Sequence, residues 1–304
     1  MSNHRSLAGV YAAMVTPLLE DFSPDYGSIP ILLEFLAGRG CHGALLLGTT
    51  GEGPSFSSKE RAEILRAALR VRQSLPEFHL LAGTGTPSLE ETIELTSTAF
   101  DMGLDGVVVL PPYYFKNVSE DGLFAWFTLV LLRAVPIGGA LFGYHIPPVS
   151  GVPLSLDLLA RLNDAFPDRF AGLKDSSGEA DHAQALGERF GGDLLVMNGN
   201  DRLFSLALQA GASGCITAPA NLLSPYLRQV WDASLQNREP SLAQAVLDKA
   251  RQIIEKYPPA PALLKGLLAR QYHFPLWPVR LPLISLPSET LDSAQVELDH
   301  IVNV

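Results

Sequence analysis

The chain has 304 residues, of which 47% are hydrophobic and 18% charged, and 22 Lys and Arg against 32 Asp and Glu leave a formal charge of −10. A chain of this size can bury a large core, and its acidic balance speaks against nucleic acid or anionic membrane as partners. Charged residues usually make up about 25% of a domain, so the shortfall points to surface buried in an oligomer. The 26 glycines and 23 prolines follow no period, which excludes collagen-like and low-complexity classes. Cys41 and Cys215 stand far apart with no Cys/His cluster, so neither a disulfide framework nor a structural metal site is expected. No apolar segment of the signal-peptide type follows Met1 to Leu7, and the run Leu123 to Leu132 is shorter than the roughly 20 residues a membrane span needs. These features predict a cytoplasmic protein.

Apolar or β-branched runs alternate with segments of helical period, the pattern of βαβ units. Strands are expected at Val10–Val15 and Gly43–Leu47, then a helix over Ser58–Arg72 with Ser58 as N-cap. Strands at His79–Ala82 and Gly106–Leu110 flank a helix over Leu89–Met102, capped by Ser88 and stopped by Gly103. A fifth strand at Gly138–Tyr144 precedes a helix at Leu154–Asn163. Strands at Phe170–Lys174, Leu194–Met197 and Gly214–Thr217 bring the number to eight. Eight units within residues 1–235 predict an α/β protein, a (β/α)8 TIM barrel, whose usual size is about 250 residues. Residues 236–304 read as a C-terminal helical layer, with helices over Ala243–Tyr257, Ala260–Tyr272 and Leu291–Ile301. A doubly wound open sheet is the competing fold. Its glycine-rich phosphate loop is missing after the first strand, which ends Val15-Thr16-Pro17.

Catalytic groups in a barrel sit where strands end. The second strand runs into Gly48-Thr49-Thr50-Gly51-Glu52, either an ordinary turn or a carboxylate site built from two hydroxyls and successive N–H groups. The sixth strand ends at Lys174, on the same face as Gly172, which leaves room beside it. Desolvation there would lower the lysine pKa from about 10.4 and yield an amine able to form a Schiff base with a ketone. The alternative is a lysine snorkelling to the rim or paired with Asp175. Tyr144 ends the neighbouring fifth strand, within reach to relay protons, whereas His145 should face the other way as a packing residue. Pro111-Pro112-Tyr113-Tyr114 forms a rigid aromatic corner after the fourth strand.

Gly48-Thr49-Thr50-Gly51-Glu52, Pro112-Tyr113-Tyr114, Tyr144 with Pro147, and Gly172-Leu173-Lys174-Asp175 resemble, in order and spacing, the dihydrodipicolinate synthase/N-acetylneuraminate lyase family. The likeness runs from Gly9 to Val279-Arg280-Leu281-Pro282-Leu283. It implies a homotetramer, a dimer of dimers, acting on pyruvate and an aldehyde without metal or cofactor. It also implies Lys174 as Schiff-base former, Tyr144 as proton relay, Thr49 as its partner, Thr50 with the pyruvate carboxylate, and Tyr114 reaching a neighbouring subunit's site. Gly48, Gly199, Asp201 and Thr217 complete the substrate contacts. Two departures bear on substrate. The arginine that true synthases carry five residues beyond the relay tyrosine, for the semialdehyde carboxylate, is Val149. The sugar-binding motif of sialic-acid lyases keeps Asp201 but has Arg202 and Ala218 at its other places. Pro87 and Arg61 replace the asparagine and histidine expected of the lysine-feedback site. Gly51-Glu52-Gly53-Pro54 is similar to aldolases of 2-keto-3-deoxy sugar acids. The expected activity is therefore a pyruvate-dependent class I aldolase, a carbon–carbon lyase, on a 2-keto-3-deoxy sugar acid. The alternatives are 4-hydroxy-tetrahydrodipicolinate synthase, a related dehydratase, or a noncatalytic binder with the same barrel.

Overall fold

The computed structural model describes residues 4–302. Strands β1 (Gly9–Ala13), β2 (Gly43–Leu46), β3 (His79–Gly83), β4 (Gly106–Val109), β5 (Leu141–His145), β6 (Phe170–Asp175), β7 (Leu195–Asn198) and β8 (Gly214–Thr217) follow one another around a closed barrel. Neighbouring strands run parallel and helices occupy the connections, so the fold is the (β/α)8 TIM barrel expected from the alternation. Parallel strands are covered on both faces, which is why β2 and β4 are continuously apolar and buried at every position. Among the described residues no helix is long and apolar enough to cross a membrane.

The chain divides into two compact halves. One contains His79–Ile216 and the N-terminal residues up to Gly9. Here β5 starts at Leu141, later than expected from Gly138: that glycine has φ +82° and the N–H of Gly139 turns back to Pro136 O, so the apolar run begins as a turn. Ser88 caps its helix and Gly103, at φ +87°, stops it, as expected.

The other half contains Val10–Phe78 and the chain from Thr217 on. β1 ends at Ala13, short of Val15, because a side chain takes over the ladder: Asn221 accepts from Val15 N–H at 3.1 Å and donates to Ala13 O at 2.8 Å. The helix Ser58–Ala68 is capped by Ser57 and not by Ser58. Ser57 accepts from Glu60 N–H while the Glu60 carboxylate accepts from Ser57 N–H at 2.9 Å, a reciprocal box that Ser57-x-x-Glu60 spells out in the sequence. A 3-10 segment, Leu69–Gln73, continues it. The C-terminal helices are Ser241–Lys256, Ala260–Tyr272 and Ser288–Val302, with the first two packed against both the third and Ala220–Leu235. Cys41 and Cys215 form no disulfide and are buried, and burial pushes the Cys41 thiol up to about 12.

Candidate active site

In the first half, β5 and β6 are paired with Tyr144 directly opposite Lys174. Both side chains are buried, at 6% and 3% exposure. Lys174 Nζ donates to Tyr144 Oη at 3.0 Å and lies 4.2 Å from the ring centroid. A buried amine held on a phenol can attack a carbonyl while the phenol moves a proton. The expectation about Gly172 is corrected. The β5–β6 register shifts beside Leu141/Phe142, passing over Ala171, and a Cβ on Gly172 would lie 2.0 Å from Leu195 O. Glycine is there because the β7 backbone approaches closely and takes the space a side chain would occupy.

One residue further on, His145 and Asp175 are paired in register and both buried. His145 Nδ1 accepts from Leu154 N–H at 2.9 Å, and its ring stacks on His182 at 4.6 Å. Asp175 accepts from Ser177 N–H and Oγ. His145, Asp175 and His182 bring potential ligand atoms within 4.8 Å of one another. The lone pair of His145 Nδ1 is already taken by a backbone N–H, so its neutral ring keeps the proton on Nε2 and presents a donor instead of a metal ligand. Burial, then the neighbouring His182, hold the His145 pKa down to about 4. Above pH ~6.5 both folded and unfolded rings are neutral; below it the unfolded chain alone takes the proton, so stability should fall by up to about 3 kcal/mol as pH drops towards 4. Asp175, whose pKa burial raises, acts in the opposite sense. Thermal melts at pH 7 and pH 4.5 should therefore show a smaller acid loss for His145→Gln than for the parent; equal losses would refute it.

The remaining predicted residues of this half lie at other strand ends. Gly199 N–H donates to Asp175 O at 2.6 Å, and a Cβ there would lie 2.0 Å from Ser176 Oγ. Asp201 is fully buried in a 3-10 turn, whereas Arg202 is exposed. Tyr114 is 76% exposed and meets Phe115 edge-on, so within its own chain it is a surface residue. The sequence reading overlooked Asn198, which ends β7 with a buried Oδ1 lacking any partner among the described residues.

In the second half, the loop after β2 is tightly wound. Leu47 and Glu52 both have φ 57°, Glu52 N–H donates to Thr49 O, and Gly53 N–H donates to Gly48 O. A Cβ on Gly53 would lie 1.9 Å from Leu47 O, so the bend requires glycine. Thr16 Oγ1 grips Gly51 O at 2.6 Å. Thr49 is exposed and Thr50 half-buried, open to a small anion. Thr217, ending β8, has a buried hydroxyl with no partner among the described residues. Sequence reading also overlooked Lys265, fully buried on the helix Ala260–Tyr272. It donates to Glu52 Oε1 at 2.6 Å and to Pro278 O at 2.7 Å. Its sequence signal is a lone charge in Ala262-Leu-Leu-Lys265-Gly-Leu-Leu268.

A buried lysine and tyrosine at neighbouring strand ends of a closed parallel barrel form an arrangement able to serve class I lyase chemistry. The family model described as "Dihydrodipicolinate synthetase family" matches residues 6–301, and the chain belongs to that family. It is 38% identical over 295 residues, 97% of each chain, to an "Uncharacterized DapA-like lyase" of Chloroflexus aurantiacus. It is 32% identical to the 4-hydroxy-tetrahydrodipicolinate synthase of Prochlorococcus marinus, over 91% of this chain and 89% of that one. The crystal structure of dihydrodipicolinate synthase from Agrobacterium tumefaciens superposes with a TM-score of 0.87 at 30% identity, covering 96% and 99% of the two chains. The protein is thus a pyruvate-dependent carbon–carbon lyase.

Proposed function

We propose that the protein cleaves a 2-keto-3-deoxy sugar acid to pyruvate and an uncharged aldehyde, with Lys174 and Tyr144 as its catalytic pair. The observation that carries this reading is the 3.0 Å contact of buried Lys174 Nζ with Tyr144 Oη. Lys174 adds to the C2 ketone and water leaves, giving an iminium that withdraws electrons from the C3–C4 bond. Tyr144 takes the C4 hydroxyl proton as that bond breaks and the aldehyde departs. The enamine is protonated at C3, and hydrolysis releases pyruvate and the free amine. In this reading Thr50 and Gly48 hold the pyruvate carboxylate, Thr49 keeps the relay-partner role that the resemblance implies, and Gly199, Asp201 and Thr217 meet the substrate hydroxyls. The buried Asn198 Oδ1 and Thr217 Oγ1, without a partner among the described residues, support polar contacts at the ends of β7 and β8.

Val149 supports an uncharged aldehyde. It is 59% exposed at the place where the resemblance sets an arginine. Losing a charged hydrogen bond costs about 1.5–3 kcal/mol, roughly ten- to more than a hundredfold in rate. One observation favours the second reading, a 4-hydroxy-tetrahydrodipicolinate synthase: the Lys116 side chain lies over Gly151, two residues from Val149, with its Cδ 2.8 Å from where a Cβ of that glycine would stand. Assayed side by side, cleavage of 2-keto-3-deoxy sugar acids is expected to exceed condensation of pyruvate with aspartate semialdehyde by about tenfold or more. Fast semialdehyde condensation with no sugar-acid cleavage would reverse the assignment.

The proposal extends to a cytoplasmic homotetramer in which residues 236–304 form a helical layer appended to the barrel of residues 1–235, and Tyr114 completes a neighbour's site. Tyr114 and Phe115 at 76% and 71% exposure support an aromatic subunit contact. Sedimentation at micromolar concentration should give a tetramer, and a monomer would leave Tyr114 without that role.

A further inference from the structure

We propose that the Glu52–Lys265 pair is a positioning device for the pyruvate-carboxylate loop, through which the C-terminal helix Ala260–Tyr272 sets affinity for pyruvate. The inference rests on the assignment of Thr49 and Thr50 to that loop. Three features of the second half carry it. First, the pair is wholly buried, both side chains at 0% exposure. A buried ion pair stabilises no better than apolar side chains of the same volume, so hydrophobic filling would serve stability equally well and a placement role better accounts for two charges here. Second, the Glu52 carboxylate is gripped at both oxygens: Oε1 accepts from Lys265 Nζ at 2.6 Å, and Oε2 accepts from Arg280 N–H at 2.7 Å. Lys265 is itself fixed by Pro278 O at 2.7 Å. Third, Glu52 is a non-glycine residue held at φ 57°, and its own N–H donates to Thr49 O at 3.1 Å. A residue held in that region persists only where its surroundings fix it. With Thr16 holding Gly51 O at 2.6 Å, the loop is pinned on the far side of both threonines. Releasing Glu52 frees the Thr49–Thr50 peptide to turn away from an incoming carboxylate while leaving Lys174 untouched.

The test uses Glu52→Gln/Lys265→Met, which removes both charges at similar volume so that neither is left buried alone. Folding is followed by circular dichroism and thermal melting. Schiff-base capture is followed by the yield of borohydride-trapped adduct across a pyruvate titration, beside turnover at saturation. The folded double variant is expected to label as fully as the parent at saturating pyruvate, to turn over within about threefold of it, and to need about tenfold more pyruvate for half-maximal trapping. A parental half-saturation point overturns the proposal, as does a loss confined to turnover. Should the double variant not fold, Glu52→Gln alone carries the test, because its single amide oxygen can accept from Lys265 Nζ or from Arg280 N–H but not from both. A rise of about threefold is then expected, and none refutes the role. Failure of both variants to fold assigns the pair to stability and also refutes it. A parent that traps no pyruvate at any concentration defeats the assignment of Lys174 instead, a result distinguishable from all of these.

Discussion

Replacing Lys174 by alanine is expected to abolish turnover of any 2-oxo acid, leaving only the uncatalysed background, while the barrel still folds. In the proposed mechanism the amine converts a ketone into an electron sink, and the β5–β6 register sets it against the phenol. The substitution truncates a side chain that is 3% exposed, so some stability is lost to the space left behind. A thermal melt run beside the kinetics separates that loss from the chemical one. A folded Lys174→Ala enzyme with measurable turnover would show that another nucleophile forms the intermediate.

Tyr144→Phe should separate capture from turnover. Phenylalanine keeps the ring that Lys174 Nζ lies over at 4.2 Å and removes the hydroxyl at 3.0 Å, so packing is preserved and the proton route is cut. Turnover should fall by about 10²-fold or more, the scale of a lost general acid or base, while pyruvate still labels the lysine. Unchanged turnover would mean that another group moves the proton.

The meeting of Lys174 with Tyr144 was legible in the sequence because it needs only two strands to be neighbours and to end together, and parallel order in a barrel guarantees that. The eight strands were legible for a related reason: covered on both faces, they stand out as short apolar runs between amphipathic segments. Boundaries failed where a local bond outweighed hydropathy. Asn221 replaces the ladder after Ala13, Gly138 turns the chain before β5, and Glu60 selects Ser57 over Ser58 as the cap. Gly172 was misread because strand alternation takes no account of the β7 backbone, whose Leu195 O stands where a Cβ would lie. The Glu52–Lys265 pair was invisible to any reading by motif, since 213 residues separate partners that only the folded chain brings together. The Asn198 and Thr217 oxygens that lack a partner among the described residues could not be foreseen either, because an unpaired atom is a property of packing and not of residue type.

In the proposed mechanism Lys174 carries pyruvate as a Schiff base. Borohydride reduces such an imine to a stable secondary amine, so intact-protein mass spectrometry after pyruvate and borohydride, with peptide mapping of the product, tests it directly. One reduced pyruvyl group per chain is expected, located on the peptide containing Lys174 and absent from Lys174→Ala. No adduct on the parent, or an adduct that persists in the variant, would contradict it.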